Sequence, residues 1–242
     1  MRRPITSAVA LQRLAEAQRP GGLIDPLAAA IAIGSHARPS LVPAEVLKQI
    51  DGFAREVRGM TAKGSAFWGS ANHVLFDRHG FKGNRERYSD PQNSYIDQVL
   101  ARRTGLPIML SLIYVETVRR AGGQAYGIGL PGHFIAGVQE NGERILVDAF
   151  NAGTPLSVED CKSIALSTGA AWSEDSLEPL AGRRFAMRML LNLRNVYAQM
   201  ADAANTAAVV EQMVLLEPAM GNQQEELKRL YAYLDQQSAR NN

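Results

Sequence analysis

The sequence predicts an α+β protein, and three observations carry that prediction. Stretches toward both ends repeat their apolar residues at helical spacing, a central region holds short strand-like runs, and Asn141-Gly142 separates the two best of these runs. Asn-Gly between alternating residues is the strongest short-range signal for a two-residue hairpin turn. Helical blocks flanking a small antiparallel sheet make an α+β arrangement.

Residues 24–58 are helical in pattern: Leu27, Ile31 and Ile33, a break from Pro39 to Pro43, then Val46, Leu47, Ile50, Phe53 and Val57. Pro43 suits a first helical turn, where a missing N–H removes no bond. Phe67, Trp68, Val74, Leu75 and Phe76 predict another helix, ended by Gly80 and Gly83. Residues 90–94, Asp-Pro-Gln-Asn-Ser, carry turn chemistry. Residues 106–121 read as a buried helix, with Pro107 in its first turn and Gly122-Gly123 closing it. Residues 125–129, 133–138 and 144–150 follow as strands, the last with the clearest pattern.

The tail, residues 182–237, is helical again. Phe185, Met189, Leu190, Leu193, Val196, Tyr197 and Met200 mark one helix, Val209, Val210, Met213 and Leu216 a second stopped by Pro218, and Leu227, Leu230, Tyr231 and Leu234 a third. With Pro218 as the closing proline of a repeat of about 34 residues, Leu193, Tyr197 and Thr206 occupy the Leu, Tyr and small positions of a tetratricopeptide repeat. A plain helical bundle accounts for the same residues.

Composition excludes several classes of function. The 242 residues allow one large or two small domains. Lys+Arg 26 against Asp+Glu 24 leaves a net charge of +2, without the basic footprint of a nucleic-acid or membrane-surface binder. A lone cysteine, Cys161, excludes an internal disulfide framework and a multi-cysteine zinc site, and suits a reducing compartment. His36, His73 and His79 show no metal-ligand spacing. Residues 1–14 are too polar for a secretion signal, although the basic, acid-free start also matches a transit peptide by composition. The apolar run of residues 27–33 is far short of the ~20 residues of a membrane span. The expectation is a cytoplasmic protein with no membrane, nucleic-acid, metal or cofactor partner.

One constellation resembles an active site. A two-residue turn at Asn141-Gly142 sets Glu140 opposite Glu143, Ile135 opposite Asp148 and His133 opposite Phe150. Side chains alternate between faces, so His133, Ile135, Asp148 and Phe150 share one face. His133 and Asp148 become diagonal neighbours about 7–8 Å apart at the backbone, within side-chain reach. A carboxylate fixes the tautomer of an imidazole and raises its basicity, as general-base catalysis requires. A three-residue turn would separate the two onto opposite faces. A His–Asp pair on a hairpin behind a helix is the papain-like plan, whose helix N-terminus carries a cysteine and favours its thiolate. The same pair also reads as a satisfied buried polar contact.

Several runs carry a family resemblance. Residues 80–84 (Gly-Phe-Lys-Gly-Asn), 88–95 (Tyr-Ser-Asp-Pro-Gln-Asn-Ser-Tyr), 98–107 (Gln-Val-Leu-Ala-Arg-Arg-Thr-Gly-Leu-Pro), 130–134 (Leu-Pro-Gly-His-Phe) and 147–151 (Val-Asp-Ala-Phe-Asn) resemble the SirB-type proteins. The resemblance runs from about Ile24 to Pro218, with Ala149 where the family usually shows proline. It implies a transglutaminase-like core followed by tetratricopeptide-like helices. The implied divisions are residues 1–22, poorly ordered or an extra helix, 23–90, a helical region packed on the core, 91–178, the core, and 179–242, the helical tail. In the transglutaminase superfamily the triad is Cys, His and Asp in chain order, with the Cys after a Gly-x pair at a helix start. His133 and Asp148 match the second and third members, and Gly105-Leu106-Pro107 falls on Gly-x-Cys. Proline has no nucleophilic atom. Cys161 follows the aspartate, out of order, and reads as a buried apolar residue.

Two functions follow as expectations. The first is a non-catalytic transglutaminase-like protein, a protein-binding or regulatory module whose retained cleft includes Asn93, Ser94, Arg103, Pro107, Gly132, His133, Asp148 and Asn151. The family name implies an association with gene regulation, and protein contact through the cleft or tail fits the near-neutral charge. Arg102-Arg103 and Arg119-Arg120 read as solvated surface. The alternative is a hydrolase or acyltransferase using His133 and Asp148 with Ser111 or activated water. Ser111 lies one turn beyond Pro107 on the same helix face, beyond the reach of the helix-terminus field, and also reads as a core serine bonded to a backbone carbonyl.

Overall fold

The structure, a computed structural model, describes residues 5–18, 23–180 and 182–240. The basic start, residues 1–4, lies outside them. The helices α1 (Ala8–Glu16), α2 (Pro26–Ala37), α3 (Pro43–Thr61) and α4 (Phe67–Asn72) come first, α4 running into a wider π turn at His73–Arg78. Then follow β1 (Lys82–Gly83), a 3-10 turn (Pro91–Ser94), α5 (Ile96–Arg102), β2 (Thr104–Gly105) and α6 (Pro107–Ala121). The strands β3 (Gln124–Ile128), β4 (Ile135–Glu140), β5 (Glu143–Asp148) and β6 (Thr154–Leu156) precede α7 (Val158–Ser167), α8 (Gly182–Gln199), α9 (Ala203–Leu216) and α10 (Gly221–Arg240). This is the α+β class that the sequence predicts.

The chain divides into two compact units. One is helical, formed by the described residues up to 41, residues 89–95 and residues 182–240. Within it α1 packs on α2, α2 on α8, α8 on α9, and α9 on α10. Asp25 starts α2 by accepting from the Leu27 and Ala28 amides at 3.0 Å, with Pro26 in the first turn. Leu193 and Tyr197 of α8 and Val210 and Met213 of α9 are buried. Met200 is 55% exposed, because α8 ends at Gln199 and the chain turns through Ala201 at φ 55°. Glu211 is a buried carboxylate that accepts from the Ile5 and Thr6 amides, at 2.8 and 2.7 Å, and from the Tyr231 hydroxyl. Such donors compensate its removal from water.

The other unit, residues 42–88 and 96–180, holds the sheet. Twelve of the fifteen residues of α6 are buried, and the helix closes on Gly122 at φ 108°. The sheet order is β3-β4-β5-β6, all neighbours antiparallel. Alternation puts Tyr126, Ile128, Ile135 and Leu146 on one face, where they meet Leu130, Cys161, Ile164, Trp172 and Leu177. Ala125, Ala136, Val138 and Val147 occupy the opposite face, against which α6 packs. Arg120, partly exposed, pairs with Asp51 at 2.7 Å and Glu116 at 3.3 Å, tying α6 to α3.

The hairpin turn is two residues long, with Asn141 at φ 51° and Gly142 at φ 83°, and Glu140 pairs with Glu143. Several boundaries differ from the sequence reading. The second expected strand loses His133 and Phe134, because Gly132 at φ 71° turns the chain and His133 N–H donates to the Leu130 carbonyl at 3.2 Å. The third ends at Asp148, whose carboxylate caps a 3-10 turn at Ala149–Asn151. The helix expected over Phe67–Phe76 changes to π geometry midway, where the His79 amide reaches back to the Val74 carbonyl at 3.0 Å. Strand β6 and helix α7 have no counterpart in the sequence reading, although Ser157 and Asp160 form a reciprocal capping box legible as a helix start.

Candidate functional site

The site is built on two chain reversals. At the first, residues 130–133 turn through Gly132, where an added Cβ would stand 2.2 Å from Thr168 Cγ2. Only glycine satisfies both that contact and the left-handed backbone. At the second, Asp148 closes β5. Its Oδ1 accepts from the Phe150 amide at 3.0 Å and the Asn151 amide at 3.2 Å. Its Oδ2 accepts from Asn151 Nδ2 at 2.7 Å and meets His133 Nε2 at 2.9 Å. Asp148 is 1% exposed and the imidazole 13%.

This bonding assigns the proton of neutral His133 to Nε2, the nitrogen that faces the carboxylate, and makes Nδ1 the basic nitrogen. Burial pushes the Asp148 carboxyl up, but the hydrogen bond and charge of His133, with the Asn151 contacts, outweigh it and hold the group below its usual range. An oriented base with a free lone pair can take a proton from water, or accept a hydrogen bond from a ligand.

Among the residues read as a cleft, Gly132, His133, Asp148 and Asn151 come together in this cluster. Pro107 is the buried first residue of α6, with Leu106 as N-cap. Ser111 is fully buried and its Oγ donates to the Phe134 carbonyl at 3.3 Å, which holds the residue after His133 against α6. Arg103 is not solvated surface. It sits at φ 57° with its guanidinium over Phe53 and Phe81, 5.1 and 4.8 Å from the ring centres, and burial lowers its basicity. Asn93 and Ser94 are buried residues of the 3-10 turn in the helical unit. Cys161 is buried in the apolar cluster behind the sheet, where desolvation pushes its thiol up to about 11.

Phe150, which the sequence reading placed on the face of His133 and Asp148, is joined at the site by two residues it did not assign there, Tyr88 and Arg85. The Phe150 ring lies 6.1 Å from the His133 ring and 6.0 Å from Tyr88, edge-on in both cases, and the Arg85 guanidinium lies 5.4 Å from its centre. Arg85 directly follows the run Gly80–Asn84, but no spacing rule links it to residue 150. Two open hollows, about 450 and 320 Å³, share Phe67, Glu140 and Asn141 at the hairpin tip. They sit at the far end of strands six residues long, roughly 20 Å from Asp148 at about 3.3 Å per residue. Glu140 there is committed to the start of α4, accepting from the Phe67 amide at 2.7 Å. The remaining histidines are engaged elsewhere: His36 with Asn205, His73 with Asp77, and His79 with Glu56. Among the described residues no three His, Cys, Asp or Glu side chains converge as a metal site, and no helix is long and apolar enough to cross a membrane.

Residues 44–191, which include His133, Asp148 and the side chains around them, match the family model described as the transglutaminase-like superfamily. The chain belongs to the transglutaminase-like superfamily. A UPF0162 protein of Xylella fastidiosa is 35% identical over 172 residues, 68% of this chain and 60% of that protein. This transglutaminase-like chain thus spans 60% of the length of that relative. A UPF0162 protein of Pseudomonas aeruginosa is 25% identical over 224 residues, 90% of this chain and 81% of its own. The F-box only protein 21 of Mus musculus is 38% identical over 99 residues, 38% of this chain and 16% of its own. No solved structure matches the chain.

Proposed function

We propose that this is a non-catalytic, SirB-type member of the superfamily, a cytoplasmic protein-binding or regulatory module that keeps the His133 site for recognition. The observation that carries the reading is Pro107 at the first position of α6, the position that the resemblance to the superfamily's Gly-x-Cys motif assigns to the nucleophile. The neighbouring candidates support it. The Ser111 hydroxyl is buried and spent on the Phe134 carbonyl, and the Cys161 thiol is buried and hard to ionise. Thiolate attack requires an accessible, low-pKa sulfur, and none of these positions supplies one. The match to part of F-box only protein 21 supports a module that combines with other segments, since it occupies 16% of that chain. Successive packing of α8, α9 and α10, with Leu193, Tyr197 and Thr206 buried at the repeat positions, supports a tetratricopeptide-like tail.

A second reading, hydrolysis by water activated on His133, is favoured by the intact His133–Asp148 pair and by the basic Nδ1. One experiment separates the two. Proteins recovered on the immobilised full chain are compared with those recovered on His133→Ala, and each differential partner is purified and titrated against both. The module reading expects a saturable partner whose affinity falls at least about tenfold in the variant, a difference of about 1.4 kcal/mol. Turnover of ester, amide or glutaminyl-peptide substrates that disappears in Asp148→Asn would overturn it.

A further inference from the structure

Arg85 is exposed but is held in place. Its Nη2 donates to Asn151 Oδ1, and its plane lies over the Phe150 ring. The same Asn151 donates to Asp148 Oδ2, which meets His133 Nε2. A continuous set of contacts therefore runs from a guanidinium at the surface, through an amide and a buried carboxylate, to the imidazole. Phe150 touches both ends of it, and Tyr88, 48% exposed, flanks the same ring.

Fixing an arginine side chain costs up to about 2 kcal/mol in rotamer entropy, so surface arginines normally remain unrestrained. Here the amide and the aromatic face bear that ordering before any ligand arrives. Preorganisation of this kind is how a binding site gains affinity. A guanidinium has five N–H donors, and among the described residues no carboxylate pairs with Arg85. In the local sequence three basic residues, Lys82, Arg85 and Arg87, stand with one acidic residue, Glu86. A single planar fork suits a carboxylate, which it binds through two parallel hydrogen bonds.

We propose that Arg85 is the docking point for a carboxylate side chain of an acidic peptide segment, received against Phe150 and Tyr88 at the mouth of the His133 site. The proposal rests on the reading that the site binds protein, and it names the chemistry recognised there. Arg85 donates to the carboxylate, the rings cover the adjoining methylenes, and Asn151 relays the contact to the Asp148–His133 pair.

The test follows the His133 ring resonances of the full chain by NMR. The probe is an acetylated and amidated hexapeptide, Gly-Ser-Glu-Glu-Ser-Gly, compared with its Gln-Gln counterpart and with inorganic phosphate. The glutamate peptide is expected to shift these resonances saturably, with the glutamine peptide binding at least about tenfold more weakly. Arg85→Gln, checked for an unchanged melting curve, is expected to lower affinity for the glutamate peptide to that of the glutamine one. Equal binding of the two peptides, or undiminished binding by Arg85→Gln, would overturn the proposal. Phosphate binding as tightly as the glutamate peptide would also overturn it, in favour of a free-anion site. Failure here leaves His133-dependent partner binding standing. Peptide binding without any protein partner would instead reject the module reading and retain Arg85 as a carboxylate site.

Discussion

Gly83 lies directly against the ring of Phe150: a Cβ on residue 83 would stand 2.5 Å from Phe150 Cδ2 and 2.6 Å from Cγ. The contact joins β1, paired with β2 just before Pro107, to the turn that follows Asp148. The Phe150 ring thereby adds to the Ser111–Phe134 hydrogen bond in holding α6 and the His133 cluster together.

Gly83→Ala should therefore act on stability and on the site together. Phe150 has no flexible far end to move aside, so the ring must shift, at about 1–3 kcal/mol for an overpacked contact. The expected result is a lower urea midpoint with displaced His133 ring resonances. A wild-type midpoint with unmoved resonances would show that the ring yields freely.

Asp148 makes folding depend on acid. Its folded-state pKa is depressed below the unfolded value near 3.8, so its contribution is fully present above that value and is lost as pH falls through the folded pKa. Asp148→Asn replaces one acceptor oxygen with an amide NH2 that faces donors, and should destabilise the protein by about 2–4 kcal/mol at neutral pH. The gap between wild type and variant should narrow below about pH 4. Denaturation midpoints across pH 2–8 measure it, and a gap independent of pH would refute the assignment.

Pro107→Cys asks what the position at the start of α6 does to a thiol. The helix terminus and His133 should lower its pKa below the ordinary value of about 8.5. Burial pushes the Cys161 thiol up to about 11, so the two titrate separately. Thiolate absorbance against pH is the measurement, and His133→Ala in the same background should raise the new pKa. Two thiols titrating together at high pH would count against the placement.

Tyr197 is buried and its hydroxyl bonds that of Tyr95. Tyr197→Ala should destabilise by roughly 3 kcal/mol, as for other large aromatic truncations, and Tyr197→Phe by about 1 kcal/mol. Lys228 and Arg229 are exposed, and alanine at either should cost less than about 0.5 kcal/mol. Chemical denaturation of the four variants checks the order, and an unchanged midpoint for Tyr197→Ala would be the damaging outcome.

The features legible in the sequence are those whose causes are local. Asn141 and Gly142 both tolerate positive φ, so the two-residue turn and the register of β4 on β5 follow from neighbouring residues alone. Pro107 and Gly122 bound α6 for equally local reasons, a missing N–H at one end and a left-handed cap at the other. Other features depend on residues far apart in the chain. His133 reaches Asp148 from a turn rather than from a strand, because Gly132 must pass close to Thr168. Ser111 faces the Phe134 carbonyl rather than the imidazole, and Arg85 finds Asn151 across 66 positions of sequence. Periodicity and turn chemistry describe what a residue does to its own stretch of backbone. Which side chains then meet depends on how the elements pack, and the sequence has no periodic signal for that.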